Sequence, residues 1–346
     1  MNITTLFEQY GLDSSENVLD ALKKSADLLP NAMIFEIIPT SSGQFKADLS
    51  TGVSRASELL PEKWFELNNI IFHPNSNFPD DLKKLFETWK ESEKPSLYDV
   101  FGLEYDFSDN QDGTCIPNAF YSLKAESPYR QPDYEINSKI LRAANVPEES
   151  IDTATNLMKN FESNTDQKWK DSYYVGIMFA RPLRAVRIVT PAVLSSHFIR
   201  ILGSYFPSNY LESIIINMNG LGLENVPCRL CIDIVNGKVY KRLGLEFGQT
   251  PNGQFPNRET VKNVMQKHCK YRINAKIEEN LNNWAETIKL VNYLGGTIHQ
   301  RISSTKDSTY FNHLKVQFED NLEINSKIYI RLSNCNREKF KFSIIS

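Results

Sequence analysis

Basic side chains and tyrosines recur at every second residue in several β-prone runs of this chain. Lys327, Tyr329 and Arg331 alternate with Ile328, Ile330 and Leu332, and His313, Lys315 and Gln317 alternate with Leu314, Val316 and Phe318. Tyr240, Arg242 and Glu246 fall on one face of a run whose other face is Leu243, Leu245 and Phe247. Its partner run sets Arg229, Cys231 and Asp233 against Leu230, Ile232 and Ile234. Arg187 and Lys124 hold the same phase in two further runs, as do Glu36, Asp48, Glu104 and Asp106 in the earlier ones. Successive strand residues point to opposite faces, so each run has an apolar face and a charged one. Cations from several strands can converge on an anion such as a pyrophosphate, with tyrosines adding hydrogen bonds and aromatic walls. Enclosed charges are expensive unless paired or used by a ligand. On an open sheet the same charges would simply face solvent.

The elements that must position these residues repeat. Asp13-Ser14-Ser15-Glu16 reads as a helix start, followed by Val18, Leu19 and Leu22 on one face. Two alternating runs split by Ser41-Ser42-Gly43 follow as a hairpin. The order then recurs. Helical stripes at Trp64, Leu67 and Ile71 and then at Leu82, Leu85, Phe86 and Trp89 precede the second strand pair, and a stripe at Ile151, Ala154, Leu157 and Phe161 precedes the third. The segment from Ala192 to Asn217 reads as helical, as do 259–269 and 275–290. Asn236-Gly237 is the strongest hairpin signal in the chain. The unit helix–strand–strand recurs about five times, at intervals of roughly 60 residues, and one such unit cannot bury its apolar faces alone. About ten antiparallel strands would leave two long edges unless the sheet closes on itself. We therefore expect an α+β fold, residues 1–346 forming one domain, with a closed antiparallel barrel inside an outer ring of helices.

Composition narrows the function. The chain has 346 residues, with 39 Lys+Arg against 42 Asp+Glu and 41% apolar residues. That balance argues against a general nucleic-acid binder, which needs a basic excess. No apolar run approaches the roughly 18 residues of a membrane helix. The first residues have no secretory pattern, and the 5 cysteines suit a reducing compartment, so a cytoplasmic location is expected; a monomer is expected as well. Cys228-x-x-Cys231 alternates across strand faces and reads as structural thiols rather than zinc ligands. His313 shares the face of Lys315 and is a candidate acid or base. Neither a dinucleotide fingerprint nor a P-loop occurs.

The pieces FEIIPTSSGQFKADLS, VGIMFARPLRAVRI, CRLCIDIVNGKVYKRLGLEF and HLKVQFEDNLEINSKIYIRL, in this order, resemble the aromatic prenyltransferases of the ABBA (PT-barrel) type. The resemblance is one of element order and strand chemistry, over about residues 15 to 335. It implies a ten-strand barrel whose chamber brings together an allylic diphosphate, of dimethylallyl or geranyl type, and an aromatic or peptide acceptor. By strand and parity it implies that Lys124, Arg187, Arg242, Lys315 and Lys327 hold the diphosphate. Tyr240 and Tyr329 would shield the allylic cation, with Arg331 a further binding residue. Glu36 or Asp48 would stand where some members orient or deprotonate the acceptor by a carboxylate and others bind Mg²⁺. No aspartate-rich DDxxD occurs, so Mg²⁺-cluster isoprenoid chemistry is not indicated. Two other classes stay open: a non-prenylating natural-product or peptide-modifying enzyme on the same barrel, and a non-catalytic binding protein.

Overall fold

The computed structural model describes residues 33–39, 45–54, 60–73, 77–92, 100–106, 116–123, 133–165, 172–180, 184–248, 256, 258–268 and 308–333. The helix expected after Asp13, that at 275–290 and the side chain of Lys124 lie outside them. The strands are β1 (Met33–Pro39), β2 (Phe45–Ser54), β3 (Val100–Tyr105), β4 (Asn118–Leu123) and β5 (Tyr173–Ile177). They continue with β6 (Val186–Val193), β7 (Cys228–Val235), β8 (Lys238–Gly248), β9 (Ser308–Phe318) and β10 (Ile324–Ser333). The helices are α1 (Pro61–Phe72), α2 (Asp80–Glu91), α3 (Tyr134–Ala143), α4 (Glu148–Asn164), α5 (Phe198–Leu202), α6 (Ser208–Gly220) and α7 (Arg258–His268).

The fold is α+β, and the sheet is antiparallel throughout. Hydrogen bonding links each strand to the next in sequence, and β1 pairs with both β2 and β10, so the strand order closes on itself. Closure removes the exposed edges that a long hairpin series would otherwise leave.

The apolar face lies under helices. Phe101 and Tyr105 of β3 meet α1 and α2: Trp89 packs 5.2 Å from Phe101, and Phe72 lies 4.0 Å from Tyr105. Phe65 stacks on Phe86 at 4.2 Å, joining the two helices. Residues Leu230, Ile232, Ile234, Leu243, Leu245, Phe247, Leu314, Val316 and Phe318 are fully buried on this same side. Burying each such side chain contributes roughly 1.5–3 kcal/mol, which fixes strand register because a one-residue slip would expose the whole set. Tyrosine hydroxyls on this face find amide partners: Tyr121 donates to Asn137 Oδ1 at 2.7 Å and Tyr105 to Asn68 Oδ1 at 3.2 Å.

Helix α2 carries Asp80 and Asp81 in its first turn and Lys90 in its last, matching the helix dipole. Helix α3 was not foreseen from the sequence. Asp133 caps it by accepting the Ile136 N–H at 2.9 Å, which is a legible start signal. The helix expected from Ala192 onward is corrected: Ala192 and Val193 belong to β6, and the helical stretch breaks between Leu202 and Ser208. The run Thr190-Pro191 explains the strand's extension. Pro191 has no N–H for the ladder, the pairing with β7 shifts register there, and Thr190 Oγ1 accepts the Leu230 N–H at 3.1 Å instead.

The Asn236-Gly237 turn is as expected, with φ of 49° and 71°. It docks on the start of α4: the Gly237 N–H donates to Ser150 Oγ at 2.9 Å, and the Thr153 hydroxyl donates to the Gly237 carbonyl at 2.7 Å. A Cβ at 237 would lie 2.8 Å from Glu149 Cγ, at a φ unfavourable to any side chain. Gly237→Ala is therefore expected to destabilise the fold by about 1–3 kcal/mol in chemical denaturation. Among the described residues no helix is long and apolar enough to cross a membrane.

Candidate active site

The charged face of the closed sheet brings together side chains that lie far apart in sequence, up to 293 positions for Tyr329 and Glu36. Glu36 on β1 stands opposite Tyr329 on β10 and Asp48 on β2. The Tyr329 hydroxyl donates to Glu36 Oε2 at 2.6 Å, and Lys327 Nζ makes an ion pair with Glu36 Oε1. Burial alone would raise the Glu36 pKa, but Lys327 and Lys315 outweigh it and bring it to about 2. Burial, then the neighbouring Glu36 charge, pushes the Tyr329 phenol well up, so it stays a neutral donor. The imidazole of His313 stacks on the Tyr329 ring at 3.8 Å and 16°. Asp48 is also buried.

A second cluster lies on β6, β7 and β8. Arg187 Nε and Nη2 donate to Asp233 Oδ1 and Oδ2 at 2.7 and 3.0 Å, a bidentate pair, and Arg242 Nη2 also donates to Oδ2. Both Arg187 and Asp233 are buried. A third pair joins β8 and β9: Lys315 Nζ donates to Glu246 Oε1 at 3.1 Å. Lys315 reaches it by passing over Gly244, where a Cβ would lie 3.1 Å from the lysine Cε and 3.0 Å from Cys231 Cβ. Burial would raise the Glu246 pKa, but Lys315 and then His313 outweigh it and bring it to about 2. Burial pushes the Cys231 thiol well up, so it is inert as a nucleophile.

Burial, then the charges of Glu36 and Asp106, raise the Glu104 carboxyl well above the usual range, while Arg187 acts to lower it. Glu104 on β3 thus faces both β1 and β6, so the clusters look into one interior. Aromatic surface is supplied by Tyr329 and by Tyr174, over whose ring Arg229 Cζ sits at 5.0 Å.

Of the residues singled out from sequence, Glu36, Asp48, Arg187, Arg242, Lys315, Lys327 and Tyr329 lie on this interior side. Lys124 lies outside the described residues, and Arg331 is described only by its strand position opposite Ile34. Tyr240 is set apart. It is 53% exposed, near the turn of the β7–β8 hairpin, with Arg242 Cζ 5.7 Å from its ring centroid. The β7–β8 register shifts there: Ile232 pairs with Leu243 but Ile234 with Val239. Two residues are added to β8 there, which leaves the alternation intact, so the exposure of Tyr240 goes with its place beside the turn rather than with a change of face. Sequence reasoning put Asp233 and Glu246 on the interior face but did not identify them as the partners of the cations. No described group of three or more His, Cys, Asp or Glu is placed to hold a metal ion, and Glu36 is engaged by Lys327 and Tyr329.

His313 gives a pH signature. Burial holds its pKa down at about 4 against the usual 6.5, although Glu246 acts to raise it. Because the folded value is depressed, the unfolded chain protonates first as pH falls. The stability tied to the neutral imidazole is complete above pH 6.5 and is lost as pH falls to about 4. Relative to His313→Asn, the parent chain is expected to lose on the order of 3 kcal/mol across that window, measured by urea unfolding at a series of pH values.

No protein-family model and no curated protein matches the chain. Among solved structures it is similar to 5-dimethylallyl tryptophan synthase from Streptomyces coelicolor, solved in complex with DMASPP and Trp, with TM-score 0.51, 11% identity and 100% of this chain aligned to 96% of that one. It is likewise similar to a 6-dimethylallyl tryptophan synthase, with TM-score 0.53, 8% identity, and 95% and 94% of the two chains covered. Closed strand order, helices on the apolar face and full-length overlap agree: the chain has the ABBA-type prenyltransferase fold.

Proposed function

We propose that the interior is the chamber of an enzyme that moves a prenyl group from an allylic diphosphate to an aromatic or peptide acceptor. The observation that carries the reading is that Arg187, Arg242, Lys315 and Lys327, each paired to a carboxylate, lie with Tyr329 and an ionised Glu36 on the inward face of one closed sheet. The likeness of the fold to a synthase solved with DMASPP and Trp supports it.

In this reading the guanidinium and ammonium groups hold the diphosphate, together with Lys124 and Arg331. They stabilise the charge that builds on it as the allylic C–O bond ionises. The Tyr329 ring, backed by the His313 imidazole, offers a π face to the allylic cation. That His313 is neutral matters, since an imidazolium beside the cation would oppose its formation. Attack by the acceptor ring gives an arenium ion, whose ring proton is strongly acidic. A weak base therefore suffices, and Glu36, kept ionised by Lys327 and Tyr329, takes that proton. Asp48, opposite it, orients the acceptor. Tyr240, at the rim, contacts the acceptor's outer part.

The test is incubation with dimethylallyl or geranyl diphosphate and a panel of indoles, phenols and Trp- or Tyr-containing peptides, read by mass spectrometry. One added prenyl group on an acceptor, with release of diphosphate, is the expected result. Acceptor modification without a prenyl increment would favour a different chemistry on the same fold.

A further inference from the structure

Arg187, Arg242, Lys315 and Lys327 each already have a carboxylate partner. Asp233 takes both Arg187 and Arg242, Glu246 takes Lys315, and Glu36 takes Lys327. Glu36 has a role in the chemistry; Asp233 and Glu246 have none so far. We propose that Asp233 and Glu246 are built-in anions of the diphosphate subsite, occupying its cations until the donor arrives and weakening its hold on the diphosphate afterwards. The proposal rests on the prenyl-transfer reading and adds the residues that tune its affinity.

The geometry is that of a phosphate site already filled. A guanidinium fork matches a carboxylate and a phosphate equally well. Asp233 uses both oxygens on Arg187, at 2.7 and 3.0 Å, and shares Oδ2 with Arg242. Its side chain is 5% exposed and that of Arg187 is 9% exposed, so water screens the cluster little. Without the carboxylate, two guanidinium groups on nearby strands would repel in an enclosed space. Asp233 thus makes the empty chamber foldable. The same carboxylate must stay beside an incoming diphosphate, share its donors and repel it. Lys315 and Glu246 repeat the arrangement on the next strands at 3.1 Å, with Gly244 leaving the lysine its path. For an enzyme that must release diphosphate after each turnover, such competition favours product departure.

The experiment is calorimetric titration of inorganic pyrophosphate into the parent chain, Asp233→Asn and Glu246→Gln, each checked for folding by circular dichroism. Both substitutions keep the shape and remove one negative charge. Pyrophosphate is expected to bind each variant about tenfold more tightly or better, with a steeper salt dependence, because one unit of nearby repulsion is gone. Unchanged or weaker binding in folded variants would overturn the proposal and leave the carboxylates as braces for the cations. Should Asp233→Asn fail to fold, Glu246→Gln decides alone. A parent chain that prenylates an acceptor while its variants bind pyrophosphate no more tightly sinks this inference and spares the function. Absence of pyrophosphate and donor-analogue binding in all three chains sinks the function itself.

Discussion

A Glu36→Gln chain is expected to lose roughly 10²- to 10⁴-fold in turnover while still binding the allylic donor, because general-base assistance is worth about that much. Glutamine keeps the size of the side chain and can still accept from the Tyr329 hydroxyl, which sits 2.6 Å from Glu36 Oε2. What it cannot do is take a proton from the arenium ion. It also leaves Lys327 without its carboxylate, so donor affinity should be equal to or greater than that of the parent. Single-turnover rates with saturating donor, set beside donor affinity from calorimetry, separate the two effects. A variant that turns over at the parent rate would remove Glu36 from the chemistry.

Arg187→Ala should act on both binding and stability. The guanidinium is buried and makes two of the hydrogen bonds to Asp233. Truncation leaves Asp233 buried with Arg242 as its remaining guanidinium partner. Breaking a buried pair from one side costs about 3–5 kcal/mol. The donor also loses a bidentate anchor, so affinity for a thiodiphosphate analogue should fall by about 100-fold or more, a loss of roughly 3 kcal/mol. Paired Arg187→Ala and Asp233→Asn substitutions should recover much of the stability but not the affinity, since the buried negative charge that Arg187 balanced is then gone and the anchor is still missing. Denaturant midpoints and analogue titrations on the single and double variants measure this. Recovery of both quantities would mean that Arg187 serves the fold alone.

Much of this architecture can be read from alternation. Leu230, Ile232 and Ile234 against Arg229, Cys231 and Asp233 assign both faces of β7, and Leu314, Val316 and Phe318 do the same for β9; the outward sets are fully buried. Alternation carries face information only while register is unbroken. It fails at Thr190-Pro191, where β6 shifts by one residue against β7, whereas the shift beside Tyr240 adds two residues to β8 and leaves the faces unchanged. Pro191 marks the shift that breaks the alternation. Helix α3 was legible through its Asp133 cap but has too short an apolar stripe to stand out. The pairing of the cations is a different kind of information. Arg187 meets Asp233 across 46 positions of sequence, and Tyr329 meets Glu36 across 293. Parity shows that such groups share an interior, but only closure of the sheet shows which cation meets which carboxylate.

The central claim is that this interior receives an allylic diphosphate. Titration of a non-ionising dimethylallyl thiodiphosphate into the full chain by calorimetry tests it most directly. One saturable site per chain, weakened by added salt and lost in Lys315→Ala and Arg242→Ala, is the result the account predicts. Heats no larger than dilution for the dimethylallyl and geranyl analogues alike, with a chain that melts cooperatively, would contradict it.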